Sequence, residues 1–328
     1  MASGKEVVVG IDMGGTSLRA LVVNARNEVL AVEKCPTNTA QKPDGLIRDL
    51  ATMTEDVLAT ARLPKSRLVA VSVGAPGAVD PEQSVVYHAP NLPGWDAVPL
   101  GAKLGKLLGV PVFAENDVNV GLAGEHALGA GRGAEELAGL FVGTGIGGGI
   151  ISRGKLYRGA RGAAGEAGHM IIQADGPRCG CGNRGCLEAL ASRNAMERGV
   201  RAAIRAGKKS CVLELMAERG KARMTSSIIQ RALKRNDPVM RAAIERAQYF
   251  LGLAVANVVN LLDPECVVIG GGIAERLGEY FVAPIRDTAY KNFLRRHDAE
   301  RVKICAGALG DNAGPLGAVV LARQRLRC

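Results

Sequence analysis

Aromatic side chains are scarce in this chain. Phe, Tyr and Trp make up 3% of its 328 residues, with a single Trp. Its core must therefore be aliphatic, and a nucleic-acid groove with interleaved rings has no support. Long apolar runs are missing as well. The longest, Tyr249 to Leu262, is too short to span a bilayer and is interrupted by Asn257 and Asn260. No basic flank leads into an apolar run at the amino terminus, so no signal peptide is expected. Five of the eight Cys (Cys35, Cys211, Cys266, Cys305 and Cys328) are scattered without the spacing of a disulfide framework. Together these absences point to a cytoplasmic protein with no membrane partner.

Glycine and positive charge are what the chain has in their place. At 328 residues it exceeds what one core usually supports and should fold as two lobes. The formal net charge of +10 is unevenly placed. Between Arg193 and Arg246 stand 14 Lys or Arg against 5 Asp or Glu, a local excess of 9. Read plainly, this is an Arg-rich solvated helical face. A sharper reading makes it a patch for polyanions such as nucleotide, polyphosphate or nucleic acid.

The 43 glycines are concentrated at corners. Val7 to Ile11 is a β-branched run expected to form a buried strand. It enters the turn Asp12-Met-Gly14-Gly15-Thr16 and leaves as a second strand, Leu18 to Val23. A glycine turn joining two strands is a hairpin, which excludes a phosphate loop of the Gly-Lys-Ser/Thr type and argues against a dinucleotide fingerprint. The pattern returns about 130 residues later: Leu137 to Val142 leads into Gly143-Thr144-Gly145 and then Ile150 to Ser152. Such repetition suggests two related lobes. A third cluster, Gly270-Gly271-Gly272, follows the strand Cys266 to Ile269 and precedes a helix. Helical stretches from Asp44 to Ala61, Val118 to Gly129 and Val239 to Leu262 alternate with the strands, as in an α/β protein.

Each turn taken alone could be glycine serving geometry only. Taken together they favour phosphate binding, because Gly-Gly-Thr tips present inward N–H groups and a hydroxyl. Asp12 is placed to hold Mg²⁺, directly or through water. The third corner would suit the adenosine end of the ligand or an α-phosphate. Glu115-Asn116-Asp117 ends the strand-like Val110 to Ala114, where an α/β fold commonly faces its ligand. Asp117 could accept the proton of a hydroxyl attacking a γ-phosphate, with Asn116 orienting that hydroxyl; ordinary helix N-capping is the plainer account of the pair in isolation, but the surrounding phosphate loops favour the base role.

His169, Cys179, Cys181 and Cys186 supply one imidazole and three thiolates, with the thiolates spread over eight residues. That is the ligand set of a closed, structural zinc site. Glu166 and Glu188 flank it and would accept hydrogen bonds from a polyhydroxy ligand, the other ring nitrogen of His169 joining them. Otherwise these two carboxylates only support the metal ligands or lie on the surface.

With these residues in place, the chain resembles bacterial sugar kinases of the ROK family, and within it the glucokinases. The resemblance runs almost end to end: Asp12-x-Gly-Gly-Thr16, Pro76-Gly77, Asn91-Leu-Pro-Gly-Trp95, Glu115-Asn-Asp117, Gly143-Thr-Gly-x-Gly-Gly148, Gly165-Glu-x-Gly-His169, the Cys179 to Glu188 segment, Gly270-Gly-Gly272 and Asp311-Asn-Ala-Gly314. The His-Cys segment is specific to this family, whereas the glycine loops are common to actin-like ATPases. The resemblance implies a two-lobed, actin-like (ribonuclease H-like) α/β fold with the ligand cleft between lobes. The small lobe would take residues 1–115 and the large lobe 116–312, with a final helix at about 313–328 packing back on the first.

It further implies ATP-dependent phosphorylation of a hexose at its 6-hydroxyl, glucose to glucose 6-phosphate. Asp117 would act as base; Asn91, Asn116, Glu166, His169 and Glu188 would hold the other hydroxyls. ATP with Mg²⁺ would be the donor, polyphosphate the alternative that the positive charge suggests. Homodimers, or tetramers, are the expected assemblies. N-acetylmannosamine, N-acetylglucosamine, fructose and allose kinases share nearly all these residues, so the pocket shape decides the sugar. ROK repressors that sense sugars carry a helix-turn-helix segment ahead of the body. Here the first core strand begins at Val7, so DNA binding is not expected.

Overall fold

The structure, a computed structural model, describes residues 6–89 and 92–327. The chain divides into two compact units. One comprises Met1–Arg132, Arg158–Ala164 and Asp311–Cys328; the other comprises Gly133–Tyr157 and Gly165–Gly310. The first boundary therefore falls after Arg132, where sequence analysis placed it after residue 115. The helix that follows residue 116 keeps to the sheet whose last strand it leaves.

The first unit is built on the strands β1 (Val7–Met13), β2 (Ser17–Asn24) and β3 (Val29–Pro36), the helix α1 (Pro43–Thr60) and the strand β4 (Leu68–Ala75). Three short strands then form a separate antiparallel sheet: β5 (Ala78–Asp80), β6 (Val85–His88) and β7 (Asp96–Val98). Helix α2 (Leu100–Leu108), strand β8 (Val112–Asn116) and helix α3 (Asp117–Leu128) complete the amino-terminal part. The main sheet runs β3-β2-β1-β4-β8, antiparallel across β3-β2-β1 and parallel across β1-β4-β8. Alternate β1 residues Val7, Val9 and Ile11 pack with Leu46, Leu50, Met53 and Val57 of α1, whose helical spacing aligns them on one face.

From the second unit's sheet come β9 (Leu137–Val142), β10 (Ile146–Ser152) and β11 (Lys155–Leu156). Helices α4 (Leu187–Ala191), α5 (Arg193–Arg205), α6 (Val212–Glu218), α7 (Ser226–Lys234) and α8 (Pro238–Leu262) follow. After them come β12 (Cys266–Gly270), α9 (Gly272–Leu277), α10 (Glu279–Asn292) and β13 (Lys303–Ala306). The sheet order is β11-β10-β9-β12-β13, with a β9–β10 hairpin and parallel β9, β12 and β13. This is the connectivity of the first sheet over again, so the repeated strand–turn–strand motif marks two copies of one topology. Leu140, Val267 and Ile269 of this sheet share a core with Leu251 and Val255 of α8 and with Phe281 and Ile285 of α10.

The carboxyl-terminal helix α11 (Ala313–Leu326) belongs to the first unit and lies on α3, β1 and β4. Glycine makes that approach possible. A Cβ on Gly317 would stand 1.7 Å from the Val120 carbonyl oxygen, and one on Gly124 would stand 2.3 Å from that of Ala313. Neither helix can carry a side chain at this crossing.

Candidate active site

In the first unit the parallel strands β1, β4 and β8 deliver their carboxyl ends to one edge of the sheet, where Gly74 pairs with both Asp12 and Glu115. Asp12 ends β1, followed by the turn through Gly14, Gly15 and Thr16. Gly14 N–H closes that turn on the Ser17 carbonyl at 3.1 Å. The N–H groups of Gly15 and Thr16 have no acceptor among the described residues, as an anion-binding nest requires. Asp12 is half-buried; burial, then the charges of Asp117 and Asp311, push its carboxyl up to about 7, while Arg19 and Lys34 pull the other way. Asp12 therefore lies within the electrostatic reach of two other carboxylates, and its oxygens are the hard donors that a divalent cation such as Mg²⁺ prefers.

Asn116 caps α3, accepting the N–H groups of Val118 at 2.9 Å and Asn119 at 3.1 Å, while its amide donates to the Gly77 carbonyl at 3.0 Å. Asn116 thus caps the helix, its oxygen filled by the two backbone N–H groups, while one of its two amide hydrogens is left over. Asp117 opens the helix, half-buried, with one oxygen accepting from Val118 N–H at 2.9 Å. Beneath the pair lies a residue that sequence analysis left without a role. Glu115 is 4% exposed; Arg158 donates to it at 2.7 and 2.8 Å, with Asn116 N–H and the Asn119 amide completing its contacts. The ion pair fixes the register of the β8–α3 turn. Glu115 stood in the quoted motif, but nothing in the sequence ties it to Arg158. Asn91 lies outside the described residues.

In the second unit, Gly143 N–H closes its turn on Gly145 O at 2.9 Å, and the N–H groups of Thr144 and Gly145 have no acceptor among the described residues. The third glycine corner adjoins this turn, because Gly270 pairs with Phe141 across parallel β12 and β9. Gly271 adopts φ +88°, and a Cβ there would stand 2.5 Å from the Val142 carbonyl oxygen, so the chain tolerates no side chain. The helix that follows, α9, begins at Gly272 and has six residues.

Glu188 joins the turn to the cysteine cluster. One oxygen accepts Ile146 N–H at 3.0 Å, and the other lies 3.8 Å from Cys179 Sγ. Gly168, preceding His169, sits so close that a Cβ would fall 1.9 Å from the Ile146 carbonyl oxygen. Glu166 is exposed at the head of that same short helical turn, Ala167–His169. Glu166, His169 and Glu188 are therefore gathered around the start of β10.

The ligand atoms of His169, Cys179, Cys181 and Cys186 all lie within 4.8 Å of one another. Cys179 Sγ stands 3.8 Å from His169 Nδ1, and the sulfurs of Cys181 and Cys186 are 3.7 Å apart. Tetrahedral zinc, with Zn–S of about 2.3 Å and Zn–N of about 2.0–2.1 Å, has ligand–ligand edges of about 3.6–3.8 Å, so the donor set fits it. Burial, with hydrogen bonds from the other two thiols, pushes Cys186 up to about 12. Holding it as a thiolate takes a cation.

Comparison with known proteins follows the same lines. The family model described as the ROK family matches residues 8–325. A glucokinase of Thermotoga maritima is 34% identical over 319 residues, covering 97% of this chain and 98% of its own. A xylose repressor of Caldicellulosiruptor bescii is 32% identical over 96% of this chain and 77% of its own. Among solved structures, a ROK family glucokinase from Streptomyces griseus in complex with glucose and AMPPNP matches with a TM-score of 0.85 at 32% identity, covering 97% of this chain and 99% of that one.

Proposed function

Because the chain belongs to the ROK family over nearly its whole length and has the two-lobed actin-like ATPase fold of that family's sugar kinases, we propose that it is a hexokinase-type phosphotransferase. It moves the γ-phosphoryl group of ATP to the 6-hydroxyl of a hexose, with glucose as first substrate. The observation that carries this reading is Asp117 at the carboxyl end of β8, fixed by its capped helix and the Glu115–Arg158 pair below.

Asp117 takes the proton of the 6-hydroxyl as that oxygen bonds to the γ-phosphorus and the bond to the β-phosphate oxygen breaks, releasing ADP. The unsatisfied N–H groups of Thr144 and Gly145 bind donor phosphates, with Gly270 to Gly272 serving the nucleotide end; the Gly14–Gly15–Thr16 turn of the first unit is read as an anion-binding turn of the same kind. Asp12 is the Mg²⁺ ligand of this reading; the cation would screen phosphate charge. Asn91, Asn116, Glu166, His169 and Glu188 are the sugar-hydroxyl partners. For Asn116 this role falls to whatever donor or acceptor capacity remains beyond its cap. His169, Cys179, Cys181 and Cys186 would hold a structural zinc, His169 through the Nδ1 that stands beside Cys179, which would leave Nε2 for substrate. The enzyme works in the cytoplasm as a homodimer, or a tetramer. No described helix is long and apolar enough to cross a membrane.

The repressor relative favours a second reading, a sugar-sensing regulator without phosphotransfer. A coupled ADP-release assay with MgATP and glucose, mannose, fructose, allose, N-acetylglucosamine and N-acetylmannosamine separates the two. Preference for glucose is expected. Preference for an N-acetylated sugar would keep the chemistry and change the acceptor; absence of turnover on every sugar by zinc-loaded protein would sink the kinase reading.

A further inference from the structure

The basic stretch from Arg193 to Arg246 is mostly what a solvated face should be. Along α5 the buried positions are Met196, Glu197 and Val200, with Arg198 exposed. Arg193, the first residue of α5, behaves differently. Its backbone N–H donates to the Gly143 carbonyl at 3.0 Å, and its guanidinium donates through Nη2 to the Thr144 hydroxyl. Next to it, Asn194 N–H reaches the Thr144 carbonyl, and the Asn194 side chain accepts from Arg223 Nη2 at 2.7 Å.

This corner is short of negative charge. The one carboxylate nearby, Glu197, is taken up by the other two arginines: its oxygens accept from Arg201 Nε at 2.9 Å, Arg223 Nε at 3.1 Å and Met224 N–H at 3.0 Å. Arg193 itself has no carboxylate within ion-pair distance among the described residues, and the N–H groups of its guanidinium other than the one on Thr144 have no acceptor there. The side chain is nonetheless half-buried. A guanidinium taken out of water without a counter-charge is costly, and its forked donors match the oxygens of a phosphate. Because Arg193 donates to the Thr144 oxygen, that hydroxyl keeps its own hydrogen for an acceptor beyond the turn.

We propose that Arg193, supported by Arg223, is a phosphate-binding residue that extends the Gly143–Gly145 turn, its missing counter-ion being the phosphate chain of the donor nucleotide. The proposal rests on the reading of that turn as a phosphate site. It assigns a ligand to two arginines of the basic segment and names the moiety they recognise: the polyphosphate part of the nucleotide, and neither its base nor the sugar acceptor.

The test is titration of wild type, Arg193→Gln and Arg193→Lys with adenosine, ADP and AMPPNP in the presence of Mg²⁺. Wild type should bind more tightly with each added phosphate. Arg193→Gln should lose about tenfold or more for AMPPNP, less for ADP and nothing for adenosine, and Arg193→Lys should recover part of the loss, since a point charge replaces a fork. Equal losses for all three ligands, or none for AMPPNP, would overturn the proposal while leaving the turn reading intact. If wild type binds adenosine as tightly as AMPPNP, the turn reading itself fails and the proposal with it. Should Arg193→Gln not fold, Arg223→Gln carries the same phosphate-dependent loss, smaller in size, and its absence counts as refutation.

Discussion

Glu188 accepts the backbone N–H of Ile146 at 3.0 Å through one carboxylate oxygen, while its other oxygen faces Cys179 Sγ at 3.8 Å. A single side chain thus ties the cysteine cluster to the strand that leaves the Gly143–Gly145 turn. Metal analysis of active protein should find one zinc per chain. Cys181→Ser, or stripping with a chelator, should raise the sugar KM about 10–100-fold before nucleotide binding suffers, as loss of metal support does elsewhere. Fully active protein without zinc would remove the cluster from the argument.

Asp117→Asn keeps an oxygen that can accept Val118 N–H but gives up the negative charge and with it the ability to take a proton. We expect unchanged melting and sugar affinity, with kcat lower by about 10²–10⁴-fold, the usual worth of a positioned base. Near-normal turnover in this variant would take the base role from Asp117.

Asp12 yields a pH prediction. Its carboxyl titrates near 3.8 when unfolded and about 7 when folded, because of burial and the charges of Asp117 and Asp311. The folded chain therefore holds an extra proton across that window. Asp12's contribution favours folding at low pH and is lost as pH rises toward about 7, with no further change above it. Thermal melts of Mg²⁺-free protein at about pH 5.5 and about pH 8 should show wild type losing stability relative to Asp12→Asn. Parallel behaviour of the two would contradict the shift.

The α3–α11 crossing admits a test of packing. Alanine at Gly317 gains about 1 kcal/mol of helix propensity, but its Cβ would overlap the Val120 carbonyl oxygen at 1.7 Å and lie 2.6 Å from Gly124 N. Such overpacking costs about 1–3 kcal/mol or more where backbone must move. Overlap should win, and Gly317→Ala should melt several degrees lower; a higher Tm would show that the helices separate freely.

The local signals proved readable. The hairpins around Gly14–Thr16 and Gly143–Gly145 follow from β-branched runs broken by glycine, and the His169–Cys186 cluster follows from ligand type and spacing. What escaped was pairing over distance. Arg158 meets Glu115 43 residues away, and Arg193 meets Thr144 49 away; one Arg looks like any other until the fold removes its competitors. The unit boundary was missed for a related reason. The β8 strand ends at Asn116, but α3 packs back on β4 and α11, contacts that only the folded chain declares.

The chain passes from one unit to the other four times, after Arg132, Tyr157, Ala164 and Gly310. The order of synthesis consequently differs from the order of completion. Every residue of the second unit has been made by Gly310, whereas the first unit, although begun first, waits for α11 to cover β1 and α3. A nascent chain halted before Ala313 would carry an open apolar face on β1 and β4. Residues made after the second unit is finished are the ones that seal strands made before it began.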